Sequence, residues 1–121
     1  MARKILVVDD DEMVLIALEE LLRSKGYEIG TASGGKEALE KIERESFDLV
    51  ILDLVMPGMD GYEVCRRIRS NELYREIPVV MLTALTGEED RKKGEDAGAN
   101  LFLPKPISPQ RLLSLVESAL S

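Results

Sequence analysis

Three short stretches, residues 5–8, 49–52 and 79–82, are apolar at every position and rich in β-branched side chains. Runs of that kind predict strands covered on both faces, as at the centre of a parallel sheet. Two weaker runs, 27–31 and 101–103, are short or interrupted by polar residues and read as edge strands. Between the runs the apolar spacing becomes helical. Val14, Leu18, Leu21 and Leu22 form one stripe, and Ala38 with Ile42, Cys65 with Ile68, and Leu112 with Val116 and Leu120 form others. Each stripe is expected to face the sheet. Start signals agree: Asp60 stands three before Glu63, Thr86 three before Glu89, and Ser108 precedes Pro109 at a first helical position. The alternation predicts five βα units in a doubly wound parallel α/β sheet, whose ligands bind outside the carboxyl ends of the strands.

The fourth helical interval, 87–97, differs from the rest. It has almost no apolar residue, and Gly94 costs roughly 0.5–1 kcal/mol relative to Ala in a helix interior. Weak anchoring to the sheet is expected, either as a solvated surface helix or as a segment kept mobile for switching.

With 121 residues the chain has room for one domain, residues 1–121, and its 45% apolar and 32% charged content is that of a folded protein. No apolar run approaches the ~20 residues that span a bilayer, so no membrane partner and a cytoplasmic location are expected. The net charge of −7 argues against direct nucleic-acid binding, which depends on Lys and Arg neutralising phosphates. The absence of histidine excludes imidazole general-base chemistry and His-based zinc sites. The single cysteine, Cys65, reads as a helix-packing residue.

What remains is carboxylate and hard-cation chemistry. Asp9 and Asp10 follow the first central strand and Asp53 ends the third, so the fold gathers three acids at the carboxyl edge with no local cation beside them. At about 4 Å and an effective dielectric near 20, each such pair repels by roughly 4 kcal/mol. An all-oxygen site of this kind suits Mg2+. Thr83 ends the fourth strand and Lys105 follows the fifth, bringing a hydroxyl and an ammonium to the same edge, where both could hold a phosphoryl group.

Over its whole length the sequence resembles the receiver domain of two-component response regulators. The resemblance is carried by Val7 to Asp10, Asp53 to Gly61, Leu82 to Ala84, and Lys105-Pro106, in that order and at the family's spacing. It implies a flavodoxin-like strand order 2-1-3-4-5. It implies Asp53 as the phosphoacceptor, served by a sensor histidine kinase or a histidine phosphotransfer protein. It also implies Mg2+ held by Asp10 and Asp53, by Asp9 through water and by the main-chain carbonyl of Val55. Thr83 matches the family's switch hydroxyl, Lys105 its phosphate-pairing lysine, and Phe102 its aromatic rotamer switch; Lys105-Pro106 is expected to be cis. A downstream protein or a fused output domain would read the switch.

Two positions that tune dephosphorylation in such domains, Val55 and Leu85, are apolar here and predict slow self-dephosphorylation. Asn100 and Leu101 replace acids that many winged-helix regulators use in salt-bridged dimers. Leu101 and Leu103 are instead expected to form an apolar contact patch. Three rivals stand beside this reading. Residues 30–37 approach the phosphate-loop pattern, but Glu37 replaces the Mg2+-binding hydroxyl. An aspartyl phosphohydrolase like the haloacid dehalogenases needs a second Asp where Val55 stands. A receiver-like interaction module could keep the fold without phosphorylation, against the intact set Asp9, Asp10, Asp53, Thr83 and Lys105.

Overall fold

The three continuous apolar runs lie side by side. In the computed structural model, which describes residues 2–121, five parallel strands are ordered β2-β1-β3-β4-β5, as expected. They are β1 (Lys4–Val8), β2 (Glu28–Ala32), β3 (Leu49–Leu52), β4 (Val79–Thr83) and β5 (Leu101–Pro104). The helices between and after them are α1 (Glu12–Arg23), α2 (Gly35–Arg44), α3 (Gly61–Ser70), α4 (Glu88–Ala97) and α5 (Pro109–Leu120).

Alternate strand residues point to opposite faces, and the sheet therefore builds two cores. Leu6, Val8, Val50, Leu52 and Met81 join side chains of α2 and α3 in one. Ile5, Val7, Ile51, Val80 and Leu82 join α1 and α5 in the other. The predicted stripes of α2, α3 and α5 are buried, Cys65 among them. That of α1 also reaches the core, with Leu22 fully buried and Leu18 and Leu21 half-buried against it, and Leu15, outside the predicted stripe, is buried beside them. Helix α1 packs against α5 as well as the sheet, with Leu18 and Leu21 lining a groove beside Ile107 and Leu112. Its apolar face is thus shared between two neighbours.

Two caps match expectation and one does not. Asp60 accepts from the amide of Glu63 at 2.9 Å, and Ser108 from that of Arg111 at 3.2 Å. Helix α4, however, is capped by Gly87 without any side-chain hydrogen bond, so Thr86 is not its cap. Three acids in its first turn, Glu88, Glu89 and Asp90, face the helix dipole favourably instead. Gly94 is buried, and a Cβ there would meet Phe102 Cδ2 at 2.9 Å and Met81 Sδ at 3.1 Å. Its lack of a side chain lets α4 lie directly on the sheet, which explains the glycine by packing.

The expected apolar patch on β5 is not found. Leu103 is buried and Leu101 half-buried against the α1/α5 core, because odd positions of β5 face that layer. Phe102 points to the other face, half-buried against the α2–α4 core. Among the described residues no helix is long and apolar enough to cross a membrane.

Candidate functional site at the carboxyl edge of the sheet

Parallel pairing in register brings the ends of β1, β3, β4 and β5 to one edge. The first residues past β1 are Asp9 and Asp10, and the first past β3 is Asp53. Carboxylate oxygens of these three lie within 4.8 Å of one another. Asp9 and Asp53 are buried, at 2% and 7% exposure, while Asp10 is exposed. Main-chain bonds fix the strand ends: the amide of Asp9 donates to the carbonyl of Ala32 at 3.1 Å and that of Asp53 to Val8 at 3.0 Å.

Each buried acid is gripped on both sides. Asp53 Oδ1 accepts from the amide of Leu54 at 2.7 Å, and Asp9 Oδ1 from that of Asp11 at 2.9 Å. The opposite oxygens face Lys105, whose Nζ is 2.6 Å from Asp9 Oδ2 and 3.2 Å from Asp53 Oδ2. A cation therefore does sit between the acids, supplied from 52 positions beyond Asp53. Burial opposes the charge on that ammonium, but the hydrogen bonds to Asp9 and Asp53 outweigh it and hold Lys105 above the ordinary lysine value. Three carboxylates against one ammonium still leave negative charge in excess, and the donors are all oxygen. That set fits a hard divalent cation.

Thr83, the last residue of β4, is fully buried, and its Oγ1 accepts from the amide of Leu85 at 3.2 Å. Its carbonyl accepts from the amide of Lys105 at 2.9 Å, which ties the hydroxyl and the ammonium to one strand pair. The peptide bond between Lys105 and Pro106 is cis. The arrangement suits an oxyanion held by a lysine and a hydroxyl beside a carboxylate nucleophile.

The family model described as "Response regulator receiver domain" matches residues 5–117. The chain belongs to this family. Response regulator PleD of Caulobacter vibrioides is 45% identical over 118 residues, which make up 98% of this chain and 26% of PleD. The chain thus spans about a quarter of that relative's length. Chemotaxis protein CheY4 of Vibrio cholerae superposes with a TM-score of 0.95 at 36% identity, covering 99% of this chain and 100% of that one. The receiver domain of the sensor histidine kinase PA1611 of Pseudomonas aeruginosa superposes with a TM-score of 0.91 at 32% identity, covering 99% and 98%. The PA1611 receiver domain has a magnesium ion coordinated in its active-site cleft. Receiver domains of response regulators belong to two-component systems and are in general phosphoacceptors rather than enzymes.

Around the acids, this receiver domain has an apolar rim: Val55 is 56% and Leu85 36% exposed. Gly61, which closes the motif that begins at Asp53, has a packing role that its place in the motif does not state. A Cβ there would lie 2.8 Å from Leu54 Cα and closer still to the carbonyl of Asp53, so α3 starts directly on the backbone of the site. Its place after the capping Asp60 was the available signal. The phosphate-loop rival finds no support in the geometry. Gly30 is within β2, and Glu37 accepts from the amide of Ser33 at 2.7 Å, just before the start of α2. That bond, against some desolvation, holds the Glu37 carboxyl below the usual carboxylate range.

Proposed function

We propose that Asp53 accepts a phosphoryl group from a histidine kinase or a histidine phosphotransfer protein, and that this receiver domain, residues 1–121, is the switch of a two-component system. The observation that carries the reading is the placement of Asp53: a buried carboxylate at the carboxyl edge, clustered with Asp9 and Asp10 and facing Lys105 at 3.2 Å.

Asp9, Asp10 and Asp53, with the main-chain carbonyl of Val55, would hold Mg2+, which supplies positive charge against the transferring oxygens. The magnesium ion of the PA1611 receiver domain supports the choice of ion. A carboxylate oxygen of Asp53 attacks phosphorus, the P–N bond of the donor phosphohistidine breaks, and the leaving imidazole takes up a proton. Lys105 shifts its hydrogen bonds from the acids to the phosphoryl oxygens. The Thr83 hydroxyl donates to the same group, and Phe102 turns inward into the space it vacates. A partner or output domain would read the altered surface.

Acetyl phosphate with Mg2+, followed by intact-mass measurement, tests the reading: one phosphoryl mass is gained, and Asp53→Asn gains none. An undiminished gain in Asp53→Asn defeats it. In the same samples after donor removal, the mass decays slowly, because neither Val55 nor Leu85 can hydrogen-bond an attacking water. Val55→Asn should decay faster, and an unchanged decay rate would reject that role.

A further inference from the structure

Helix α4 buries only Gly94 and Ala97, so its position is set by something other than an apolar stripe. Helix α3 supplies the grip. The Tyr62 hydroxyl donates to the carbonyl of Asp90 at 3.0 Å, and Arg69 Nε donates to the carbonyl of Gly98 at 3.0 Å, so α4 is held near both ends. In helical geometry the Asp90 carbonyl is also the acceptor for the amide of Gly94. Tyr62 therefore binds the turn that seats Gly94 against Phe102, where a Cβ would lie 2.9 Å from the ring. At the same end as Tyr62, α3 starts on the backbone beside Asp53, with the amide of Gly61 donating to the carbonyl of Leu54 at 3.0 Å.

We propose that Tyr62 is a positioning residue of the switch: its hydrogen bond to Asp90 holds α4 on Phe102 and resists the rearrangement that phosphorylation of Asp53 requires. The proposal rests on Asp53 being the phosphoacceptor. Phe102 cannot turn without changing its contact with Gly94, and α4 cannot yield there without straining the bond from Tyr62. Burial, with the charges of Asp90 and Asp60, holds the phenol above its usual range, so it remains a donor at neutral pH. If the phosphorylation-competent arrangement is a minor state that lacks this bond, removing the bond enlarges its population by the same factor.

Tyr62→Phe keeps the ring and loses the donor. Hydrogen exchange followed by mass spectrometry should show residues 91–94 exchanging about two- to tenfold faster, the range set by one hydrogen bond, with α1 unchanged. Phosphoryl uptake from acetyl phosphate and Mg2+ should quicken by a similar factor, a readout that a merely structural role would not move. Gly94→Ala, which pushes α4 off Phe102, should act in the same direction without touching the hydroxyl. Unchanged exchange in α4 of Tyr62→Phe overturns the tether. Faster exchange with unchanged uptake overturns its control of the switch. A wild-type protein that gains no phosphoryl mass overturns the phosphoacceptor reading, and with it the switch role of Tyr62, whereas the exchange data still report whether the tether exists.

Discussion

The two edges of the sheet are built from the same strands and solve opposite problems. At the amino edge, polar groups are matched. The amide of Lys4 donates to Asp48 Oδ2 at 2.8 Å, and its ammonium pairs with Glu45. The Arg69 guanidinium donates to the carbonyls of Gly98, Arg75 and Ile77, and to Asn100 Oδ1 at 2.8 Å. Asn100 Oδ1 in turn accepts from the amide of Val79 at 2.8 Å. The carboxyl edge gathers Asp9, Asp10 and Asp53 around Lys105 alone. One edge is closed by its own residues, and the other holds an excess of negative charge that suits a bound cation. Stability is therefore expected to concentrate at the first edge, and responsiveness at the second.

The sharpest way to break the contrast is Arg69→Ala. It strands several carbonyls and Asn100 at once, and bonds to a charged donor contribute roughly 1.5–3 kcal/mol, so a loss of about 3 kcal/mol in urea unfolding is expected. Arg69→Lys should recover little, since a lysine cannot reproduce the planar fork. A loss under about 1 kcal/mol in the alanine variant would show that the amino edge does not carry the stability assigned to it.

At the carboxyl edge the same measurement should change sign. If the acids hold Mg2+ as proposed, the ion at ten times its dissociation constant should raise the stability of the wild type by about 1.4 kcal/mol. Asp53→Asn, by removing one of the crowded charges, should raise metal-free stability by about 1 kcal/mol and shrink the gain from Mg2+. If Asp53→Asn instead destabilises as Arg69→Ala does, both edges are structural and the contrast fails.

The functional edge was the easier of the two to read from sequence. Residues 5–8, 49–52 and 79–82 announce central strands, and the acids, hydroxyl and lysine follow strand ends directly, so topology alone collects them. Arg69 was invisible because three of its four acceptors are backbone carbonyls, which have no side-chain signature. Asn100 showed only what it replaced, an acid of other regulators, and not the amide and guanidinium it serves. Gly94 was misleading for a related reason. Its helix-propensity cost is local and readable, whereas the contact with Phe102 that makes the glycine necessary joins α4 to β5 and appears only in the folded chain.

Glu37 gives the smallest and most selective test, because it is an acid at the carboxyl edge that is closed in the manner of the amino edge. It follows β2, yet it is tied to the amide and hydroxyl of Ser33 and lies 3.7 Å from Lys41. Glu37→Ala should therefore cost only the worth of its exposed hydrogen bonds to Ser33, about 0.5 kcal/mol, and leave any Mg2+ stabilisation unchanged. The sign with pH follows from its lowered pKa. In the unfolded chain the group has its ordinary value of 4.5, so its contribution is present above that pH and is lost as pH falls through the lower folded value. Wild type and Glu37→Ala should differ at pH 6 and draw together as the pH falls below 4.5. A change in Mg2+ response would mean that Glu37 does lend charge to the site, and the division between matched and unmatched acids would have to be redrawn along the carboxyl edge.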